Sequence, residues 1–415
     1  MKILIVAANI SRRMGGEAVL PWHYIRELSA LGHEAHGLTH ARVRDELKES
    51  EIWRADRLHF VEDSFLERSI YQASRLAPGS IREAGFYALL GAVTMARLAG
   101  PTRRLAAEIG ADVIHQPTPV SPHFPSFLTN MPAPTVIGPL NGGMAFPKAF
   151  AARYAKGADA LAGLGRALSA GANALFPGKR QAARILVANA RTARSLPAAV
   201  RAERVERLVD NGVDLGLWNT PGEPPREAPN GGAAHFVFVG RLIALKGVDL
   251  LIDALERLDA PVRLTIVGDG PERARLEARA AKSPARDRIR FAGFRPQPEI
   301  RDILATATAL VLPSLRECGG AAILEAFACR RPAIATDWGG PQDYVTPETG
   351  VLVAPESREG FVAGLAAAMR RLAEHPEEAR RMGEAARARV EAHFAWRAKA
   401  ARIVEIYEEA ARLRA

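Results

Sequence analysis

Short apolar runs alternate with segments of helical spacing along most of this chain. In the first half KILIVAA (2–8), EAHGLTH (34–40), ADVIHQ (111–116), PTVIGP (134–139) and RILVAN (184–189) read as strands. Pro21–Leu31 and Pro101–Ile109 read as helices between them, each opened by a proline where the missing N–H has no intrahelical partner to lose. After Asn211-Gly212-Val213-Asp214 the pattern stops. TPGEPPREAPNGG, 220–232, carries four prolines and three glycines and reads as a linker. The alternation then restarts with HFVFVG (235–240), VRLTIVG (262–268), RIRFAG (288–293), ALVLP (309–313), PAIAT (332–336) and GVLVA (350–354). From Trp396 to Leu413 apolar residues recur at helical spacing (Ala400, Ile403, Val404, Ile406, Tyr407), as in a terminal helix that packs back on a neighbour.

Strands alternating with helices predict an α/β protein with parallel sheets. The expected organisation is two Rossmann-like, doubly wound domains facing each other across a cleft. Residues 1–213 form the first and 233–395 the second, with a linker at 214–232 and a C-terminal helix at 396–415 directed towards the first domain. In such sheets ligands bind beyond the carboxyl ends of the strands, so chemistry is sought in the loops that follow them.

The chain has 415 residues, too many for one core of usual size. Its longest uncharged apolar stretch, 84–96, is shorter than the roughly 20 residues that span a bilayer. Two cysteines, Cys318 and Cys329, make no disulfide framework and fit a reducing, cytoplasmic compartment. A net charge of +10 implies attraction to phosphates, anionic lipid or nucleic acid. Basic residues are spread along the chain rather than interleaved with aromatics, which disfavours nucleic acid as a partner. Leu161–Phe176, apolar and small with Lys156, Arg166, Lys179 and Arg180 in and around it, has the character of an interfacial segment. It raises peripheral contact with an anionic membrane, at the inner face, as an expectation; a core helix with a loop is the equal alternative.

Neither half carries a dinucleotide fingerprint, because Gly15-Gly16 lies too far beyond its strand and Gly268-Asp269-Gly270 lacks a third glycine. No Walker A sequence and no Asp-x-Asp pair is present, so a phosphate would be met by arginine, lysine and helix N-termini rather than by a carboxylate-held metal. His33, His36 and His40 do not share one strand face, and no metal site is expected. VGRLIALKG (239–247) brings Arg241 and Lys246 to the edge of the second sheet, a fork and a point charge suited to a diphosphate.

SLRECGGAAILEAFACRRPAIATDWGG (314–340) places Gly319-Gly320 where a loop opens a helix, with free amides directed at an anion. The step of eight residues from Glu317 to Glu325 is about 800° of helical turn, so the two carboxylates do different jobs. Carboxylates at those places can hold sugar hydroxyls, one on a transferred sugar and the other on a ribose. GPLNGGMAFP (138–147) offers a further glycine loop, whose Asn141, Gly142 and Gly143 would line the acceptor side.

These segments together resemble retaining GT-B glycosyltransferases of family 4, with their motif of two glutamates that have seven residues between them. The resemblance extends to VGRLIALKG, VGDGPERARLE (267–277), VDNGVDLGLW (209–218) and GVLVAPES (350–357). It implies a nucleoside diphosphate sugar as donor, no cofactor or metal, and a sugar or lipid-linked sugar as acceptor, in polysaccharide, lipid-linked glycan or glycolipid synthesis. By residue, it implies that Arg241 and Lys246 bind the diphosphate and Glu317 the donor sugar. The amides of Gly319 and Gly320 face sugar or phosphate, Glu325 holds the ribose, and the base lies near Phe294 and Arg295. His115 is similar to a histidine that the family keeps beside the transferred sugar, with His123 as a loop residue. Gly15 and Gly16 resemble the family's first glycine-rich loop, where bare backbone approaches diphosphate or acceptor. The family's commoner phenylalanine and single glycine are here replaced by Cys318 and two glycines; Cys318 and Cys329 read as small packing residues. The alternatives are a nucleotide-sugar epimerase of the same build and a basic nucleic-acid-binding protein.

Overall fold

The computed structural model describes residues 1–75, 86–154, 169–219, 232–259 and 261–413. It contains two parallel sheets. The first orders its strands β3-β2-β1-β4-β5-β6-β7, with β1 at Lys2–Val6, β2 at Glu34–His40, β3 at Leu58–Val61, β4 at Val113–Gln116, β5 at Thr135–Leu140, β6 at Arg184–Val187 and β7 at Val205–Arg207. The second orders β10-β9-β8-β11-β12-β13, with β8 at Ala234–Val239, β9 at Val262–Val267, β10 at Ile289–Gly293, β11 at Ala309–Leu312, β12 at Ala333–Thr336 and β13 at Gly350–Val353. Strands β4, β5, β11 and β12 are buried at every position, as expected of parallel strands covered on both faces. The strand order reverses between β1 and β4 in one sheet and between β8 and β11 in the other, which puts a ligand crevice at each switch point.

The chain divides into two compact units. One comprises Met1–Gly143, Leu161–Asp210 and Lys399–Ala415; the other comprises Met144–Ala160 and Asn211–Ala398. This differs from the sequence reading at three places. The segment after β5 belongs to the second unit: the Trp338 indole N–H donates to the Ala145 carbonyl at 2.9 Å, and Phe150 meets Phe361 edge-on at 6.0 Å. The start of the expected linker is packed, with Trp218 only 2% exposed; 220–231 lie outside the described residues. The helix Tyr87–Glu108 runs through Pro101 instead of starting there.

The terminal helix Trp396–Arg412 enters the first unit at Lys399, whose buried ammonium donates to the carbonyls of Val209 and Asp210. Burial lowers the Lys399 pKa to about 7, with the neighbouring Asp210 charge opposing the shift.

No helix among the described residues is long and apolar enough to cross a membrane. Of the segment read as interfacial, 161–168 lie outside the described residues, with Lys156 and Arg166. Lys179 is not a flanking surface cation: it is 3% exposed and donates to the Pro122 carbonyl at 2.5 Å, and burial lowers its pKa to about 7.

Candidate active site

At the β8/β11 switch point two loops are joined backbone to backbone. The Leu315 amide donates to the Leu245 carbonyl at 2.9 Å. Gly247, at φ 65°, lets the loop after β8 approach β11 so closely that a Cβ there would stand 2.4 Å from the Pro313 carbonyl oxygen. This junction brings Lys246, from the turn Ala244–Lys246, into an ion pair with Glu317; the two side chains are 20% and 13% exposed. Arg241 is exposed, and its guanidinium has no partner among the described residues.

The Glu317 loop rests on the loop after β12. The Gly340 amide donates to the Glu317 carbonyl at 2.7 Å, and a Cβ at Gly340 would stand 2.3 Å from the carbonyl oxygens of Cys318 and Gly319. On the other side Asn211 closes on Gly319, where a Cβ would lie 2.0 Å from the Asn211 amide nitrogen. Gly320, at φ 96°, is the N-cap of the helix Ala321–Ala328, and a Cβ there would stand 3.4 Å from Glu317 Cγ, which puts Glu317 at the helix N-terminus.

Glu325 stands in the second turn of that helix. Its carboxyl has no hydrogen bond or ion pair among the described residues, and burial pushes its pKa up to about 7. Cys318 is exposed, which corrects its reading as a small packing residue; the chain bends outward between Glu317 and the buried glycines. Cys329 is fully buried, with its sulfur 3.8 Å from the Trp218 carbonyl oxygen. At the end of β10, Phe294 is 77% exposed, while Arg295 folds back onto the Ala292 carbonyl at 2.9 Å and onto Glu299.

In the first unit Gly15 (φ 64°) and Gly16 (φ 54°) form the loop after β1. Glu17 fastens that loop to the loop after β4 by accepting the Val120 amide at 3.0 Å. His115 does not reach this crevice. It is fully buried in β4, its Nε2 donates to the Gly138 carbonyl at 2.6 Å, and its Nδ1 accepts from the Tyr407 hydroxyl at 2.6 Å. Burial lowers its pKa to about 4, so it is a neutral core histidine with both nitrogens occupied rather than a catalytic group. His123, at the loop after β4, holds Ser169 and Asn173 through its own carbonyl.

Asn141 is likewise internal. It is 4% exposed and donates to Asp210 at 2.9 Å, which corrects its reading as an acceptor-side residue. Gly142 and Gly143 are packed against Pro122 and Ser195, respectively, so protein rather than a ligand accounts for their small size.

Among the described residues His40, Asp63 and Glu67 are the group whose ligand atoms converge. His40 Nδ1 accepts the Arg42 amide at 3.1 Å, leaving the proton on Nε2, which lies 3.1 Å from Asp63 without hydrogen-bonding geometry. Burial of Glu67 is outweighed by hydrogen bonds from Thr94 and Ser64 and by the Arg97 charge, which hold its pKa at about 2. A protonated Nε2 and a neighbouring guanidinium suit an ion-pair network, not a cation. His36 instead contacts His59 and Glu34.

The support from Gly339-Gly340 and Trp338 was missing from the sequence reading of site residues. Its signal is a glycine pair directly after a buried strand, at the same sheet edge as Lys246 and Glu317. Met144 also reaches this loop, since a Cβ at Gly339 would lie 2.5 Å from the Met144 methyl, and Arg316 stands 5.5 Å from the Phe146 ring centroid.

The two sheets define a protein of the GT-B architecture, built from two Rossmann-like domains. Solved structures with this fold along their whole length include a glycosyltransferase from Rickettsia africae ESF-5, at TM-score 0.67 and 17% identity, covering 99% of this chain and 98% of that one. HepE of Anabaena, solved in complex with UDP, has TM-score 0.67 and 19% identity and covers 99% of this chain and 100% of its own. Residues 221–389 match the family model described as Glycosyl transferases group 1. The glycogen synthase of Mycobacterium tuberculosis is 35% identical over 209 residues, 49% of each chain. The chain thus spans about half the length of the curated relatives it matches.

Proposed function

We propose that the protein is a retaining glycosyltransferase that moves a sugar from a nucleoside diphosphate sugar to an acceptor hydroxyl without a resident metal. The observation that carries this reading is the Lys246–Glu317 pair at the head of the helix Ala321–Ala328, inside the stretch that matches Glycosyl transferases group 1. Lys246, the nearby Arg241 and the opening amides of the helix supply positive charge for a diphosphate that gains charge as it leaves. Glu317 accepts hydroxyls of the transferred sugar. Glu325 has no hydrogen bond or ion pair among the described residues and suits ribose hydroxyls, with the base on the side of Phe294. No carboxylate among the described residues is assigned as a nucleophile, and attack from the face of the departing diphosphate would give retention. HepE has also been solved in complex with UDP-glucose, which makes a uridine diphosphate sugar the first donor to try. The acceptor belongs to polysaccharide, lipid-linked glycan or glycolipid synthesis.

A thermal-shift screen of nucleoside diphosphate sugars identifies the donor, because a ligand of the folded state raises the unfolding midpoint. With that donor, a chelator-treated enzyme transfers sugar as fast as the untreated one and gives a product of unchanged anomeric configuration. Donor incubated alone separates the epimerase alternative: conversion of the donor sugar without acceptor overturns the transferase reading.

A further inference from the structure

The amino-terminal edge of the first sheet carries a cleft of about 780 Å³ that none of the groups above uses. Its walls come from the residues leading into β5 and β6, from the segment before β7 and from the end of the terminal helix. Strand β5 alone separates it from the carboxyl edge by five residue steps, about 16 Å.

Four arginines line the cleft, Arg180, Arg184, Arg201 and Arg204, against a single acidic lining residue, Glu203. They fall into two sets. Arg204 is spent on structure, donating to the carbonyls of Arg180 at 2.9 Å and Ala182 at 3.2 Å, and Arg184 donates to Ala183 and leans towards Glu409 at 3.4 Å. Arg180 has no side-chain partner among the described residues, and Arg201 meets only the exposed Glu203, at 3.8 Å.

Apolar side chains that keep accessible surface, Met131, Pro134 and Leu413, also line the cleft. The wall beside Arg180 is also braced. Asn130 holds a left-handed backbone (φ 50°), its amide donates to Gln181 at 2.8 Å, and Arg103 donates to its carbonyl and to that of Thr129. A concave site with accessible apolar side chains, a braced wall and two guanidinium groups left to hydrogen-bond suits a small molecule with one charged end.

We infer that this cleft binds a phosphorylated small molecule, its phosphate or diphosphate between Arg180 and Arg201 and its less polar part against Met131, Pro134 and Leu413. The site is separate from the donor crevice and independent of the reaction assigned there.

Calorimetric titration of the full-length protein with inorganic pyrophosphate tests this, using Lys246→Ala to weaken the donor crevice. The Lys246→Ala protein retains a pyrophosphate site. Adding Arg180→Ala and Arg201→Ala weakens that site at least about tenfold, as expected when hydrogen bonds to a charged group are lost, while Arg180→Lys/Arg201→Lys retains part of it. Both arginines are exposed, and an unchanged unfolding midpoint confirms that the variants fold. Loss of all pyrophosphate binding in Lys246→Ala, or binding there that ignores the arginine substitutions, overturns the inference. So does arginine-dependent binding to phosphatidylglycerol vesicles with none to pyrophosphate, which would make the surface a membrane contact.

Discussion

Lys246 and Glu317 meet because the Leu315 amide and the Leu245 carbonyl first join the loops that carry them. The pair is therefore a property of the sheet's switch point. Glu317→Gln leaves Lys246 an acceptor, so stability changes by about 1 kcal/mol. On the proposed function, sugar transfer measured by donor consumption falls at least about 100-fold, because a negative charge facing the sugar would be lost. Transfer at the parent's rate removes Glu317 from the mechanism.

Gly340→Ala and Gly319→Ala differ in cost. At Gly340 the new methyl meets the fixed carbonyl oxygens of Cys318 and Gly319, whereas at Gly319 it meets the Asn211 amide, a side chain that can turn. Overpacking of this kind costs about 1–3 kcal/mol, with Gly340→Ala at the upper end and Gly319→Ala below it in denaturant titration. Gly340→Ala also lowers transfer, since the Glu317 loop must shift.

If Glu325 holds the ribose as proposed, donor binding is coupled to its proton. Burial raises this carboxyl to about 7, so it is partly protonated at neutral pH. Ribose hydroxyls that donate to it stabilise the ionised form and lower that pKa. Near pH 6.5 donor binding therefore releases a fraction of a proton, seen as a buffer-dependent binding enthalpy, and Glu325→Gln abolishes that dependence.

Acid weakens the fold through His115 and His235. Both are buried neutral, with folded pKa values lowered to about 4 from 6.5. Between those values the unfolded chain binds protons that the folded one refuses. The stability present above pH 6.5 is thus lost as pH falls towards 4, by up to about 1.4 kcal/mol per pH unit for each histidine. Unfolding midpoints measured from pH 7 to 4 show the decline, and His115→Asn, though less stable throughout, declines less steeply.

Most strands were legible because buried parallel strands are continuous apolar runs. β3 and β7 were missed: Leu58–Val61 is short, and Val205–Arg207 is mostly polar. Lys246, Glu317 and Glu325 could be placed from local sequence because each follows its own strand or sits at a stated turn of one helix. His115 and Asn141 could not. Their surroundings are set by Tyr407, 292 residues away, and Asp210, 69 residues away. Likewise, Ala145 and Phe150 are claimed for the second unit by Trp338 and Phe361, which no local pattern announces.

The contact between His115 and Tyr407 also concerns the order of synthesis. Tyr24 and Tyr407 both lie against the His115 ring, and Lys399 holds Val209 and Asp210 from the same late helix. At about 5–20 residues per second, the 292 residues between His115 and Tyr407 take roughly 15–60 s to emerge. For that interval the first-half core stands without one of its aromatic walls. A stalled ribosome that has not released Tyr407 should therefore hold a first unit more open to protease than the finished protein.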